Sequence, residues 1–289
     1  MNGLRVKNIE NYPSKLIREF FWSFIFTISE ALIGGPLDSL SLLTGIFLWG
    51  GGFFAGFVDS IAGGGGVISL PILLSVGIPP HQALGTNKLQ GSFGSFTAAV
   101  NYSRKGLVDY KKIATGILFT ALGAVLGTVV IQMLSTVFLQ HVIPFFLAGV
   151  FFYTLFSPDM GSRDSGPKLS EQLFYITAGM ILGFYDGFFG PGTGSFWTLA
   201  FVLLLGLDLK KATAHTKITN FTSNIISLTV FIFGGKVLFL TGIIMGSGQM
   251  AGAFTGSKLV IRNGVGFVRI FFLSVVAVTV IKLIYSVYF

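Results

Sequence analysis

Apolar residues run along this chain in uninterrupted blocks, and several are long enough to cross ~30 Å of hydrocarbon as helices. The pattern predicts long helices over Leu40–Ala62, Ala83–Ser103, Ile113–Leu134, Val137–Phe156, Leu173–Gly190, Leu209–Phe233, Val237–Leu259 and Val265–Phe289. Two further apolar segments, Val67–Val76 and Ser195–Leu205, are too short to cross alone. Both follow a glycine-rich break, within "GFVDSIAGGGGVISLP" (56–71) and "GFYDGFFGPGTGSFWT" (183–198). The blocks do not alternate with a period of two, which argues against a barrel. Two of the long segments, Ala83–Ser103 and Leu209–Phe233, carry polar residues inside them.

Near the middle, "SPDMGSRDSGPKLSEQ" (157–172) is the one substantial hydrophilic stretch, rich in Gly, Pro and Ser, and the plan before it recurs after it. "ALGTNK" (83–88) aligns with "ATAHTK" (212–217), so that Lys217 lies 129 positions after Lys88. The same interval separates Gly77 from Gly206, Gly65 from Gly194 and Gly106 from Gly235. Upstream it shortens to 127, pairing Asp59 with Asp186 and Gly56 with Gly183, as a two-residue insertion near the second glycine stretch requires. The chain therefore divides into an N-terminal segment (1–39), a first repeat (40–156), the linker (157–172) and a second repeat (173–289). The expected fold is an all-α polytopic membrane protein. Each repeat has about four transmembrane helices, with a short broken or re-entrant half-helix after the glycines.

Composition agrees with the pattern. Apolar residues make up 52% and charged residues 10%, against about 25% charged in soluble domains. No cysteine is present, which excludes thiolate chemistry and disulfides. The net charge of +8 reads as loops held on the cytoplasmic side and carries no implication of nucleic-acid binding. The N-terminal segment mixes both charge signs, and its apolar stretch Phe20–Ile28 is closed by Glu30. It reads as a helix lying in the interface, with a short tilted span as the rival. Topology stays open between two arrangements. If each short segment returns to its own side, each half crosses four times and the halves run parallel. If each short segment is itself a crossing, the halves are inverted, as in many transporters.

The chemistry gathers at the breaks. Irregular backbone at membrane depth is tolerated only inside protein or beside a watery cavity, so the glycines should face inward. The short helices that follow would aim free N–H groups and positive dipole ends at one spot. An anion site there would use Gly64, Gly65 and Gly66 from the first half and Gly192, Thr193, Gly194 and Ser195 from the second. The alternative reading is close helix packing by small residues. Lys88 and Lys217 each lie deep in a long segment, where a lysine is costly and a functional candidate by default. Asn87 and Gln90 share a helical face beside the first, and Thr216 and Asn220 beside the second. Asp59, Asp186 and His215 are candidates for charge balance or coupling to a proton or ion. The structural alternative pairs Lys88 with Asp59 and Lys217 with Asp186. No metal-ligand pattern, nucleotide loop, cofactor motif or catalytic nucleophile–base pair is expected; "GPGTGS" lacks the lysine a phosphate loop needs.

On these motifs, together with "NYSRKGLVDYKK" (101–112) and "ATAHTKITNFTSN" (212–224), the chain resembles the TauE/SafE family of sulfite and organosulfur anion exporters from about Leu43 to the C-terminus. The resemblance implies a duplicated bundle in a prokaryotic inner membrane that moves small sulfur-containing anions such as sulfite, thiosulfate or sulfonates. The expected function is secondary transport, in the export direction, by alternating access at a mid-membrane site between the repeats. The rivals are an anion channel with the same lining and a non-transporting membrane enzyme or partner protein. Oligomeric state is not readable from these residues.

Overall fold

The computed structural model of the chain describes residues 42–156 and 166–263, and all the regular structure among them is helical. We number the helices α1 (Leu42–Ala62), α2 (Gly65–Ser75), α3 (Pro80–Ser103), α4 (Tyr110–Met133), α5 (Thr136–Phe156), α6 (Glu171–Phe188), α7 (Thr193–Leu205), α8 (Leu209–Phe233) and α9 (Phe239–Asn263). The N-terminal segment, most of the linker and the segment Val265–Phe289 lie outside the described residues.

Local chemistry sets the helix starts. The Asp109 carboxylate accepts the N–H groups of Lys111 and Lys112 at 3.1 and 3.3 Å. Asp208 does the same for Lys210 and Lys211 at 2.9 and 3.0 Å, which satisfies donors that a helix start leaves orphaned. Pro80 occupies a first helical position, where its missing N–H costs nothing. Helices α3 and α4 therefore begin three residues before their apolar periodicity does, at Pro80 and Tyr110 instead of Ala83 and Ile113. Gly77 and Gly206 close α2 and α7 with left-handed backbone, φ 86° and 68°.

The bundle is polar inside and apolar outside. Helix α3 buries Thr86, Asn87, Lys88, Gln90, Ser92 and Ser95, and α8 buries His215, Thr216, Lys217, Thr219, Asn220 and Ser223. Large apolar side chains such as Leu118, Leu122, Leu126 and Val129 on α4 point outward. Only lipid makes that arrangement favourable. Two described helices, α1 and α4, are long and apolar enough to cross a membrane by themselves. The polar α3 and α8 have comparable length but are sheathed by their neighbours.

Two intimate helix pairs form that sheath, and each joins the first half of the chain to the second. Helices α1 and α9 run parallel, with Gly248, Gly252 and Gly256 against the backbone of Trp49, Phe53 and Phe57. Helices α4 and α6 run parallel likewise, with Gly123 and Gly127 against the backbone of Met180 to Phe188. Gly252 and Gly256 lie 129 positions after Gly123 and Gly127. In all of these a Cβ would overlap main-chain atoms that cannot move aside. For these glycines, close packing by small residues is the observed role.

Each short helix folds back along the helix before it. Gly51 faces Ile72, and Gly65 faces Ala55 and Asp59, so α1 and α2 form a hairpin. The rings of Tyr175 and Phe201 lie 6.2 Å apart, and those of Tyr185 and Phe196 lie 5.3 Å apart, so α6 and α7 form another. Between the hairpins, α3 and α8 cross antiparallel. Gly85, near the start of α3, touches Lys236 just beyond α8, whereas His215, near the start of α8, meets Asp109 just beyond α3. One end of the bundle thus collects Arg104, Lys105, Lys111, Lys112, Lys168, Lys210, Lys211 and Lys258. Lys236 is the one Lys or Arg at the other end among the described residues.

Gly252→Ala should destabilise the protein by roughly 1–3 kcal/mol, because its Cβ meets the Phe53 carbonyl. Gly149→Ala, an outward position with nothing within 4 Å, should leave stability unchanged or raise it by up to about 1 kcal/mol. Thermal melts of the purified variants in detergent check both.

Candidate functional site

The hairpin tips meet between α3 and α8. Gly63 and Gly194 touch so closely that neither tolerates a Cβ, and Gly66 rests on Pro191. This explains the repeated glycine run, since two backbone turns must share the space of one side chain. Gly63, Gly190 and Gly192 hold positive φ values of 75°, 96° and 83°, which L side chains adopt only under strain. No side chain of the N-cap residues Gly64 and Gly192 caps α2 or α7. The Asp59 carboxylate instead accepts the first N–H of α2, from Gly65, and the start of α7 lies at the same junction.

The buried lysines are bound crosswise. Lys88 Nζ lies 2.7 Å from Asp186 Oδ1 and also donates to the Asp186 carbonyl. Lys217 Nζ lies 3.1 Å from Asp59 Oδ2 and donates to the Asp59 carbonyl. The structural alternative, pairing Lys88 with Asp59 and Lys217 with Asp186 within each half, is therefore corrected in its partners. Each lysine faces the hairpin tip of the other half. Both ammonium groups are within 1% of full burial. Such pairs persist only where hydrogen bonds satisfy the remaining valences. Here the main-chain carbonyls do so on the cationic side. On the anionic side Ser223 Oγ donates to Asp186 Oδ2, and Gly65 N–H donates to Asp59 Oδ1 at 3.3 Å.

Neutral hydrogen bonds lock each short helix to its long neighbour. Ser69 Oγ on α2 contacts Asn87 Oδ1 on α3 at 2.5 Å, and Thr198 Oγ1 on α7 contacts Thr216 Oγ1 on α8 at 3.1 Å. Ser69 and Thr198 lie 129 positions apart, as do Asn87 and Thr216. Gln90 Nε2 joins the first cluster, donating to Asn87 Oδ1 at 2.7 Å and Ser69 Oγ at 2.9 Å.

A small cavity remains where these groups converge. It offers ≈ 30 Å³ to the centres of water-sized spheres, where one water needs ~10–15 Å³. Of the residues singled out by sequence, Asp59, Gly66, Asn87, Lys88, Gln90, Asp186, Thr193, Gly194 and Asn220 line it. The others lie outside its wall. Lys217 stands behind Asp59, Gly64 and Gly192 cap the short helices, Gly65 holds Asp59, and Thr216 holds Thr198. Ser195 is in the first turn of α7, and His215 sits at the basic end. The sequence placed Asn224 beside Lys217 and read Gln249 as an inter-helix contact, but it did not assign the wall residue Gly190 or Ser223 behind Asp186. Gln249 had one legible signal, a lone amide within the apolar run of α9. Gln90 Oε1, Asn220 Oδ1 and Gln249 Oε1 are buried without a hydrogen-bond partner. Three such groups around one cavity call for a guest.

Removing one member of a buried pair strands the other, at a cost of about 3–5 kcal/mol. Lys88→Met should therefore be strongly destabilising. Asp186→Asn on the same chain should restore most of the loss, and Asp59→Asn should restore little. Melting temperatures of the single and double variants test this crossed pairing directly.

Residues 48–283 match the family described as Sulfite exporter TauE/SafE. The chain is 46% identical over 223 residues to a probable membrane transporter protein, ORF9, of a Sinorhizobium species, covering 77% of this chain and 85% of the relative. It is 44% identical over 218 residues to a probable membrane transporter protein of Haemophilus influenzae, covering 75% and 86%. It is 42% identical over 232 residues to the probable membrane transporter protein YfcA of Escherichia coli K12, covering 80% and 86%. No solved structure matches. Apolar spans around a polar interior and these bacterial relatives identify a multi-pass protein of the inner membrane. This chain belongs to the TauE/SafE family of membrane transporters.

Proposed function

We propose that the chain is a secondary transporter for small sulfur-containing oxyanions, such as sulfite, thiosulfate or sulfonates, with the cavity between the hairpin tips as its binding site. One observation carries this reading: a buried ammonium, the starts of two helices and three side-chain amides whose oxygens lack partners converge on a single small space. Helix N-termini and lysine together replace an oxyanion's hydration shell. A half-turn of the Asn220 or Gln249 amide would add N–H donors. The cavity holds little more than water, so the described state is an occluded one. An entering oxyanion takes over the Lys88 ammonium, and Asp186 falls back on Ser223. The occluded cavity favours a carrier over a channel, which needs a continuous pore.

In this reading the halves are repeats of inverted orientation. Each has a re-entrant hairpin from one side, α1–α2 or α6–α7, followed by full crossings. The antiparallel α3 and α8 and the contacts recurring 129 positions apart support it. The domain division at 40–156 and 173–289 follows the same logic. By the positive-inside rule, the basic end faces the cytoplasm. Alternating access is then a rocking of one half against the other, hinged at the tips. Export is the direction the family description suggests.

Purified protein in liposomes should carry sulfite, thiosulfate or sulfoacetate in a saturable manner at carrier rates. The charge-neutral double variant Lys88→Met with Asp186→Asn should stay folded and lose flux by roughly 10- to 100-fold, the scale of losing a hydrogen bond to a charged group, about 1.5–3 kcal/mol. Flux near the wild-type level in that variant, or single-channel currents, would overturn the reading.

A further inference from the structure

At each end of the bundle a side chain on one long polar helix holds the loop that follows the other. Thr86 on α3 accepts the N–H of Leu238, at the start of α9, at 3.0 Å. His215 on α8 accepts the N–H of Asp109, at the start of α4, at 3.4 Å through Nε2. His215 lies 129 positions after Thr86, and Leu238 lies 129 positions after Asp109, so these are the same latch built twice. The chemistry differs. A threonine hydroxyl accepts at any pH. The histidine accepts only while Nε2 is bare, and its partners require that form. Nδ1 lies 2.8 Å from the Lys211 carbonyl, which can only accept, so the ring proton is on Nδ1.

We propose that His215 is the proton-binding site that couples acidity to opening of the basic end, an inference that rests on the transport reading above. Protonation puts an N–H on Nε2 opposite the N–H of Asp109. The two donors cannot share a bond, and the α3–α4 loop is released. A cavity of ≈ 750 Å³ at that end brings protons to the ring. Facing it are Lys211 from α8, Asp109 from the loop, Lys111 and Lys112 from α4, and Glu171 and Tyr175 from α6. Glu171 is paired with Lys112 at 2.9 Å. The ring of Phe201 on α7 covers one side at 5.7 Å. The two carboxylates favour the imidazolium and the three ammonium groups oppose it. His215 lies two residues before Lys217, so loosening the grip on α8 here frees the helix that holds Asp59. The Thr86 latch at the far end stays shut over the same pH range. The two latches therefore differ in their response to acid.

The absence of cysteine allows a direct test. Val108→Cys reports on the latched loop and Lys105→Cys is an exposed reference nearby. The ratio of their maleimide labelling rates is measured in purified, substrate-free protein. Between about pH 7.5 and about pH 4.5, a window that reaches well below the ordinary imidazole value of about 6.5 because the ring is buried, the ratio should rise severalfold. It should stay flat in His215→Thr and in His215→Gln, which keep an acceptor that does not titrate. Thr86→His should transfer the rise to Leu238→Cys at the opposite end. A flat ratio in the parent protein, or an undiminished rise in both His215 variants, overturns the proposal. Liposome flux separates the two readings. Saturable flux with no dependence on pH at the basic side defeats the proton site alone. A pH-sensitive latch with no oxyanion flux defeats the transport reading and leaves the proton site standing.

Discussion

Two ammonium groups are buried at the centre of a bundle that faces lipid, and the fold is organised around keeping them paired. An unpaired charge there costs several kcal/mol, comparable to the net stability of a whole domain. Each lysine is answered by an aspartate of the other half and by that aspartate's own carbonyl. The crossing ties the halves together more firmly than any pairing within a half would. It also dictates that the hairpin tips be narrow, because carboxylate, ammonium and two turns of backbone occupy one small volume. Glycine is the residue that permits this, and Gly63 and Gly194 pack main chain to main chain.

From this follows the inside-out distribution of side chains. Helices α3 and α8 carry hydroxyls and amides because they must solvate the pairs in place of water. Helices α1, α4, α6 and α9 are glycine-lined on their inner faces so that they can approach one another closely, and apolar outside. Without a hydrophobic force between helices in lipid, that close packing and the interior hydrogen bonds hold the assembly.

The centre is close to electrically neutral, with two lysines set against two aspartates. Asp186 has a hydroxyl partner in Ser223, whereas Asp59 accepts the Gly65 N–H, and Gly94 takes the position 129 residues before Ser223. The two halves share a frame and differ in chemistry at single sites. The Thr86 and His215 latches are the same kind of divergence.

The helical membrane class was legible in the sequence, and Lys88, Lys217, Asp59 and Asp186 stood out as candidates, because charge and glycine breaks are rare in apolar segments and leave local marks. Helix starts at Pro80 and Tyr110 were misjudged by three residues because capping is polar and escapes hydropathy. Which aspartate each lysine meets was not legible, since a one-dimensional repeat is silent on whether the long helices run parallel or antiparallel. The packing of both hairpin tips against the two long helices decided the exchange of partners. The same packing brought Gln249 and Asn224 to the cavity wall and sent Lys217 behind Asp59. Local chemistry marks which residues are expensive to bury; only the three-dimensional path of the chain determines who shares that cost.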